Sequence, residues 1–393
     1  MHKKNILLVS CVFPPEPVVS ATLSYDLATY LADEHHVIVL SPPPTRPAGY
    51  DFSNVQEKKE TSFVHIEMQS YTSSASKVLP RFKESYDFGK KVAQYISDNK
   101  NKIDLLYMNT WPLASQYLIA KTCLQFNIPY IIHVQDIYPE SLTNKLAIGK
   151  RLIQKLLLPF DRLVLSRAKK VITISKGMQS YLLTTRGLNE IHVSVVFNWQ
   201  KVSKPTIPVV KNEKFTFMFL GSLSPSAQIE SIISSFGAIA NRSSQLIIAG
   251  SGSEESKLKE LAKTYPNADI SFIKASADKV ADLQAKADVL VLSLRNGVGK
   301  LALPSKLVAY MFSKKPILAI VEKDCDIEKI IENADCGWVV EQDNNDKIQS
   351  VIKEIIESEI ELLLEKGKNV YSFYQENLTK KINLKKLADY IIK

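Results

Sequence analysis

The sequence contains few cysteines and no long apolar run, and both shortages exclude classes of protein. Its four cysteines lie far apart in 393 residues and form no pair with the spacing of a metal site: Cys11, Cys123, Cys325 and Cys336. This usage favours a reducing cytosol over a disulfide framework. No apolar segment approaches the roughly 20 residues that a helix needs to cross a bilayer. We therefore expect a cytoplasmic chain that is soluble or peripheral at the inner face of the membrane.

Acidic residues are in the minority. The 50 Lys and Arg outnumber the 41 Asp and Glu, and the formal net charge is +9. Such an excess favours anionic partners, for example phosphorylated small molecules or acidic lipid. We expect no nucleic acid partner, because the sequence lacks zinc-finger spacing, an aromatic RNA-binding strand motif and a recognition helix.

One short pattern, Asp324-Cys325-Asp326, resembles a metal-binding pair of aspartates. It precedes an apolar helical run at 327–331, where an aspartate is expected as the N-cap of the helix. We therefore expect no metal site and no cofactor apart from the substrates.

Short apolar runs alternate with helical periodicity from one end of the chain to the other. This order predicts an α/β fold with parallel sheets and helices on both faces. Lysines and prolines interrupt the pattern at 200–213 and predict a linker. We predict one doubly wound, Rossmann-like domain at 1–200, a second at 201–370, and a final helix at 371–393 that packs back on the first. An interdomain cleft between two such sheets can hold two substrates.

The most informative stretch follows a buried apolar strand and the glycine-bearing loop 295–299. Pro304 suits the first position of a helix, because a missing N–H costs nothing where the N–H has no partner. The amides of Ser305, Lys306 and Leu307 are then predicted to be free. Together with the Lys306 ammonium they would form an anion site. We therefore predict a phosphate-bearing ligand here.

Two other predicted turns between a strand and a helix contain glycine. The turn at Gly221 has no acid close to it, so a phosphate could approach the backbone of Gly221 and Ser222. The turn at 250–252 is followed at once by Glu254 and Glu255, which already place negative charge at the start of their helix. For that second turn we expect a structural role.

Six segments follow one another along the chain: Phe13–Glu16, Val134–Glu140, Ala168–Ser175, Val196–Asn198, Phe219–Leu223 and Pro304–Lys306. In this order and spacing they resemble the GT-B-fold glycosyltransferases of family 4, similar to the enzymes that build bacterial O-antigen and capsular polysaccharide. The resemblance spans nearly the whole chain. It implies the GT-B architecture, with an N-terminal acceptor domain and a C-terminal domain that holds a nucleotide-sugar donor.

The chain departs from the family pattern at several positions. The family's Arg and Lys after the opening glycine fall at Ser222 and Ala227, and its paired glutamates fall at Leu301 and Ala309. The usual active-site His falls at Gln135. The missing ribose-binding glutamate at Ala309 leaves the nucleotide base open. Another cation must neutralise the leaving diphosphate.

The resemblance implies a role for each candidate residue. The donor is predicted to bind at Gly221, Ser222, Asn296, Gly297, Lys300, Pro304, Ser305 and Lys306. Lys306 is the predicted charge partner of the diphosphate, and Lys300 and Arg295 compete for that role. The alternative is a surface lysine on an amphipathic helix.

The predicted acceptor side lies in the first domain. Gln135 and Asp136 end an apolar strand and are predicted to be catalytic together with Lys306. Asp136 and Glu16 are predicted to contact the acceptor. The alternatives are that Asp136 caps the following turn and that Glu16 is an exposed loop acid. His133 lies within the strand, where a buried, hydrogen-bonded histidine is expected.

We expect a glycosyltransferase of hexosyltransferase type. It would move a sugar, with retention, from a nucleotide-diphosphate donor to a cell-surface polysaccharide or a lipid-linked precursor. A retaining transferase needs no protein nucleophile, because the leaving phosphate can take the acceptor proton. A non-catalytic GT-B protein that binds a glycan or a partner, and a sugar-nucleotide epimerase, stay open. The basic, leucine-rich segment at 145–170 could lie on anionic lipid or pack its leucines on the sheet.

Overall fold

The computed structural model describes residues 3–46, 52, 61–73, 78–109, 113–143, 149–199, 201–202, 204, 213–276, 279–299 and 303–393. The chain forms two compact units. Unit 1 comprises Met1–Asn198 and Lys380–Lys393, and unit 2 comprises Trp199–Thr379. Each unit contains its own parallel sheet with helices, as the alternating pattern predicted.

Unit 1 contains a seven-stranded sheet. Its strands are β1 (Asn5–Val9), β2 (His36–Ser41), β3 (Val64–Glu67), β4 (Leu105–Asn109), β5 (Tyr130–Val134), β6 (Lys170–Thr173) and β7 (Val193–Val195). They are parallel and lie in the order β3-β2-β1-β4-β5-β6-β7. Every residue of β4 and β5 is buried, and strands that helices cover on both faces read as continuous apolar runs.

The helices of unit 1 cover both faces of this sheet. They are α1 (Val19–Ala32), α2 (Val78–Asp98), α3 (Leu113–Gln125), α4 (Glu140–Thr143), α5 (Lys150–Ser166), α6 (Lys176–Arg186) and α14 (Lys380–Ile392). Helix α14 packs against α1, and its Asn383 side chain accepts a hydrogen bond from the Phe197 amide at 3.1 Å. The segment that returns to unit 1 therefore begins at Lys380.

Unit 2 contains a six-stranded parallel sheet. Its strands are β8 (Phe215–Leu220), β9 (Ser244–Ala249), β10 (Ile270–Ile273), β11 (Val289–Ser293), β12 (Ile317–Ile320) and β13 (Gly337–Val340), in the order β10-β9-β8-β11-β12-β13. The chain winds from β8 to one edge, returns to β11 beside β8, and winds to the other edge. Ligands of open α/β sheets bind at the carboxyl ends of strands where the winding reverses, here β8 and β11.

The helices of unit 2 are α7 (Glu230–Ile239), α8 (Glu255–Lys263), α9 (Val280–Lys286), α10 (Lys306–Phe312), α11 (Asp326–Asn333), α12 (Asn345–Glu357) and α13 (Ile360–Phe373), followed by a π-helix at Tyr374–Leu378. The sequence placed the returning segment at 371–393, and its start is wrong. Tyr371 and Tyr374 belong to unit 2, because both rings pack against Phe312 at the end of α10.

In the part of the chain that is described, no helix combines the length and the apolar character that crossing a bilayer requires.

Candidate functional site

The end of β8 in unit 2 brings Gly221 and Lys306 together. Gly221 follows β8 directly and has a φ of +148°, which favours glycine. The Lys306 Nζ atom lies 3.2 Å from the position that a Cβ on Gly221 would occupy. The absence of a side chain at Gly221 therefore makes room for the Lys306 ammonium at the carboxyl edge of the sheet.

Helix α10 is fixed against β8 by the buried Tyr310. The Leu220 amide donates to the Tyr310 hydroxyl oxygen at 2.8 Å. The hydroxyl can donate in turn to the carbonyl oxygen of Leu220 at 3.0 Å or of Val291 at 3.2 Å. Residues four apart share one face of a helix. Tyr310 therefore directs Lys306, one turn earlier, toward the end of β8.

The Lys306 ammonium lies in an apolar environment. Its Nζ atom is 4.3 Å from the centre of the Phe219 ring. Burial lowers the pKa of Lys306 from 10.5 to about 8, and no described carboxylate offsets this effect. Burying a cation without an acidic partner costs free energy, which the binding of an anion would offset. Such a group is typical of an anion-binding site.

The glycine-containing turn at 250–252 packs against the backbone of the turn that begins at Gly221. A Cβ on Gly250 would lie 1.9 Å from the Gly221 carbonyl oxygen, and one on Gly252 would lie 2.3 Å from that of Leu223. The Leu223 amide donates to the Ser251 carbonyl oxygen at 2.9 Å. The two turns are thus packed backbone to backbone, and the second has the structural role that its neighbouring acids predicted.

The predicted start of the helix at Pro304 is wrong by two residues. Helix α10 begins at Lys306 and has seven residues, with Ser305 as its N-cap. The Leu307 amide donates to the Pro304 carbonyl oxygen at 3.0 Å, so the prediction of a free amide at Leu307 is also wrong. The Leu307 amide is already hydrogen-bonded within a tight turn at Pro304 and Ser305. The positive charge of the site therefore comes from the Lys306 side chain more than from a helix terminus.

The other predicted donor residues of unit 2 have more varied surroundings. The Asn296 side chain donates to Asp343 at 2.7 Å, and Gly297 has a φ of +85° with open space where a Cβ would lie. Ser222 is exposed. Lys300 lies outside the described residues, so its predicted role stays a prediction.

The aspartate pair near β12 belongs to a helix start. The N-cap of α11 is Cys325, whose Sγ atom accepts from the Glu328 amide at 3.5 Å. The prediction of an aspartate N-cap is therefore wrong by one residue. The described residues contain no group of three His, Cys, Asp or Glu side chains that could hold a metal ion.

In unit 1, the residues after β5 lie at the carboxyl edge of the sheet. The Gln135 Oε1 atom accepts a hydrogen bond from the Ser20 hydroxyl in the first turn of α1 at 2.6 Å, and the Asp136 side chain is exposed. Sequence reasoning missed Ser20, which lies 115 residues from Gln135. His133 is buried within β5 and bonds through Nδ1 to the Tyr107 hydroxyl at 2.7 Å, which confirms the prediction for this histidine. Burial lowers the pKa of His133 to about 4.

Arg186, at the end of α6, fixes the segment that follows Asp136. Its guanidinium bonds both Glu140 carboxylate oxygens, at 2.9 and 2.6 Å, and Asp161 at 2.6 Å. It also donates to the Tyr138 carbonyl oxygen at 2.8 Å. These bonds leave the Arg186 guanidinium little freedom. The backbone from Tyr138 to Glu140, which begins two residues after Asp136, is therefore fixed in position.

Glu16 is buried, with 5% of its surface exposed, so the alternative of an exposed loop acid is wrong. Its Oε1 atom accepts the backbone amides of Thr45 and Arg46 at 2.9 and 2.8 Å. Burial raises the pKa of Glu16 above its usual range, although these two amides oppose the change. Glu16 thereby organises the loop at 45–46. Its contact with an acceptor stays a prediction.

Several charged groups surround the Cys11 thiol at the end of β1. Burial raises the pKa of this thiol to about 12, and the charges of Arg46, Glu16 and Asp136 act on it. The structure therefore brings the two predicted acceptor residues, Glu16 and Asp136, to one edge of the sheet. Arg46 was missed by sequence reasoning. It pairs with the buried Glu84 at 3.4 Å.

Comparisons with known proteins match both halves of the chain. The family described as "Glycosyltransferase Family 4" matches residues 20–199, and that described as "Glycosyl transferases group 1" matches residues 203–373. The probable glycosyltransferase WbjE of Pseudomonas aeruginosa is 27% identical over 303 residues, which are 72% of this chain and 71% of that protein.

Solved structures have the same two-unit fold. Sucrose-phosphate synthase from Thermosynechococcus elongatus superposes with a TM-score of 0.72 at 15% identity, covering 98% of each chain. Anabaena HepE in complex with UDP superposes with a TM-score of 0.68 at 16% identity, again over 98% of each chain. At these identities the likeness concerns the fold.

Proposed function

The chain is a family 4-like glycosyltransferase of the GT-B fold, and from this premise we propose its substrates and the work of its residues. Glycosyltransferase membership favours sugar transfer over the two alternatives, a non-catalytic binder and a sugar-nucleotide epimerase. We infer that the donor is a nucleotide-diphosphate sugar and that the acceptor is a growing cell-surface polysaccharide, such as O-antigen or capsule, or its lipid-linked precursor. The UDP bound by the similar HepE protein supports the donor class.

The observation that carries the donor site is the desolvated Lys306 ammonium beside Gly221. Ser222 and the buried Ala227 carry no charge at the positions where the family pattern has cations. Lys306 supplies that missing charge to the diphosphate. An ion pair formed in an apolar site is strong, and it strengthens further as negative charge develops on the leaving group.

The reaction proceeds with retention in this proposal. The bond between the sugar's anomeric carbon and the phosphate oxygen breaks, and the acceptor oxygen bonds to the same face of that carbon. The leaving phosphate oxygen takes the acceptor proton, so no protein nucleophile is needed. Lys306 stabilises the charge on the leaving diphosphate. Gln135, oriented by Ser20, and Asp136, which lies two residues before the Tyr138 carbonyl that Arg186 bonds, position the acceptor hydroxyl and the sugar.

Glu16 has a supporting role on the acceptor side. Its carboxylate holds the loop at 45–46 beside Cys11 and Asp136. The loop and Asp136 together form the surface that the acceptor meets. No metal ion takes part in the proposed chemistry, because the charge of Lys306 and the position of the substrates perform the tasks that a metal would otherwise serve.

Turnover of a panel of UDP-, GDP- and ADP-sugars tests this function. The purified chain should hydrolyse or transfer one sugar with anomeric configuration retained, as read by NMR of the product. Lys306→Met should lower turnover by about 100- to 1,000-fold. Lys314→Met is a matched control, because Lys314 also lies over an aromatic ring, Tyr371 at 4.4 Å, but is exposed. Equal turnover by the two variants would contradict the proposed role of Lys306.

A further inference from the structure

The outer faces of two helices in unit 1 carry large apolar side chains that are open to solvent. On α5 they are Leu152, Leu156, Phe160 and Leu163, exposed by 64, 61, 45 and 39%. On α2 they are Leu79, Phe82 and Tyr86, exposed by 80, 53 and 50%. Single exposed apolar residues are ordinary, whereas groups of them mark a surface that contacts something other than water.

Within each helix the exposed apolar residues form one stripe. Those of α5 lie at intervals of four, four and three residues, and those of α2 at intervals of three and four, which places each set on one side of its helix. The rings of Phe82 and Tyr86 stack at 6.5 Å. Both stripes point away from the sheet, since the buried residues of α5, such as Val164 and Leu165, lie on its other side.

The exposed charges beside the α5 stripe are all positive. Four cations of the helix are exposed: Lys150, Arg151, Lys155 and Arg162. The one acid of α5, Asp161, is buried and paired with Arg186 at 2.6 Å. At 100° per residue, Arg151, Lys155 and Arg162 form a second outward stripe next to the apolar one.

Helix α2 has the same character. Lys83 and Lys90 are exposed on the side that carries its apolar stripe. The acid Glu84 is buried against Arg81 at 2.7 Å, and Asp87 pairs with Lys91 at 3.7 Å. No exposed acid therefore lies within the described apolar stripe of either helix.

The two stripes belong to one side of unit 1. Helices α2, α3 and α5 lie in the crossovers from β3 to β4, from β4 to β5 and from β5 to β6, which run in the same direction across the sheet. Right-handed crossovers in one direction place their helices on one face. Helix α3 packs against both α2 and α5, and the Tyr117 ring of α3 meets Phe160 edge to face at 5.1 Å. We call the surface formed by the exposed residues of α2 and α5 the α2–α5 surface.

We propose that the α2–α5 surface docks unit 1 on an anionic lipid membrane. The apolar side chains would enter the boundary between headgroups and acyl chains, and the lysines and arginines beside them would meet the anionic headgroups. The inference goes beyond the single basic segment expected from the sequence, because α2 contributes equally. It rests on the proposed function in one respect, since a lipid-linked acceptor would be presented at that membrane.

A comparison within the chain favours lipid over a general apolar contact. Helix α13 in unit 2 also exposes two leucine-type side chains one turn apart, Ile360 by 59% and Leu364 by 60%. Its neighbouring charges include the exposed acids Glu361 and Glu365. An acidic margin repels anionic lipid, so α13 provides a matched control of equal apolar character and opposite charge.

Cosedimentation of the full chain with vesicles tests the proposal. The vesicles contain phosphatidylcholine alone or phosphatidylcholine mixed with phosphatidylglycerol. We expect binding to the mixed vesicles that weakens as salt rises. The variant Arg151→Gln/Lys155→Gln/Arg162→Gln should bind roughly 100-fold more weakly, at about fivefold for each cation. Leu152→Ser/Leu156→Ser and Leu79→Ser/Phe82→Ser should each bind at least about tenfold more weakly.

Three outcomes would overturn the proposal. They are the absence of binding to the mixed vesicles, an equal loss of binding with Ile360→Ser/Leu364→Ser, and a changed oligomeric state of Leu152→Ser/Leu156→Ser with vesicle binding intact, which would identify a protein contact. Circular dichroism confirms that each variant is folded. Donor hydrolysis in solution should be the same for Leu152→Ser/Leu156→Ser and the wild type. If the wild type showed no turnover of any donor, the proposed function would be wrong. Vesicle binding would still test the membrane proposal independently.

Discussion

The Lys306 ammonium nitrogen lies 3.2 Å from where a Cβ atom on Gly221 would be, over the face of the Phe219 ring. Helix α10 and strand β8 come together here through the Tyr310 hydroxyl. The relationship places a poorly solvated positive charge at the point where the winding of the sheet reverses.

Replacing Lys306 with Met should separate stability from activity. The methionine keeps the apolar length of the side chain and removes a desolvated charge. We expect the free energy of unfolding at pH 7 to increase by about 1–3 kcal/mol, since one pKa unit corresponds to roughly 1.4 kcal/mol. Turnover should fall by about 100- to 1,000-fold, the range for removal of one charge-stabilising donor. Denaturant unfolding and donor hydrolysis measure the two effects.

The pH dependence of stability gives an independent check on the same residue. Lys306 has a pKa of about 8 in the folded chain and 10.5 as its ordinary value. Between these values the unfolded chain binds more protons, so the contribution of Lys306 to wild-type stability increases with pH. The difference in stability between Lys306→Met and the wild type should therefore shrink from pH 8 to pH 10.5. A constant difference would show that the lysine is well solvated.

The activity of the wild type should decline in alkaline solution. The diphosphate needs the protonated ammonium, which the free enzyme loses as pH rises through about 8. We therefore expect kcat/KM for the donor to fall above that pH, since this ratio reports ionisations of the free enzyme. The effect on kcat should be smaller, because the bound diphosphate favours the charged form. A kcat/KM that is flat to pH 10 would contradict this.

Gly221→Ala should weaken donor binding. A Cβ at this position meets the Lys306 Nζ atom at 3.2 Å, and the backbone φ of +148° is unfavourable for alanine. We expect the KM for the donor to rise about tenfold and stability to fall by about 1 kcal/mol. Gly187→Ala is the control, because Gly187 has a φ of +67° but open space around the Cβ position. It should lose similar stability without the displacement of Lys306.

Arg186→Met should destabilise the chain strongly. The change leaves the buried carboxylates of Glu140 and Asp161 without their shared cation. Breaking a buried ion pair by removing one partner costs about 3–5 kcal/mol. The triple variant Arg186→Met/Glu140→Gln/Asp161→Asn removes the unpaired charges and should recover part of that loss, as measured by thermal or denaturant unfolding. No recovery would mean that packing of the arginine stem, and not charge, holds the segment.

Ser20→Ala tests the orientation of Gln135. The Ser20 hydroxyl donates to the Gln135 Oε1 atom at 2.6 Å on a half-buried edge of the sheet. Loss of one neutral hydrogen bond costs about 1 kcal/mol, and we expect kcat to fall roughly fivefold with little change in the KM for the donor. Ser97→Ala, which removes a hydroxyl bonded only within its own helix α2, serves as the control. Equal kcat values for the two variants would contradict the proposed role of Gln135 in positioning the substrates.

The sequence predicted the fold well because its signals are local. Alternating apolar runs and helical periods are read over windows of a few residues, and the strand order of both units follows from the winding rules. The weaker points are the element boundaries at α10 and α14. Pro304 indicates the right loop, but the turn at Pro304 and Ser305 shifts the first helical residue to Lys306.

The site was harder to predict because its contacts are distant in sequence. Arg186 meets Glu140 across 46 residues and Asp161 across 25, and no spacing rule connects them. The same holds for Ser20 with Gln135. Glu16 follows two prolines, a position typical of an exposed acid in a surface loop. It is buried, because two backbone amides of a later loop donate hydrogen bonds to its carboxylate. The sequence indicated that Lys306 could supply a positive charge to the donor. It did not indicate that Lys306 would be buried against Phe219.

Calorimetric titration of nucleoside diphosphates measures whether the Lys306 ammonium binds the diphosphate. UDP, GDP and ADP are titrated into the wild type and into Lys306→Met at pH 6.5 and pH 9.5. We expect one diphosphate to bind the wild type more tightly at the lower pH, with uptake of a proton at the higher pH. The Lys306→Met variant should bind at least about 100-fold more weakly at the lower pH. Equal affinity of the two proteins at both pH values would contradict the account.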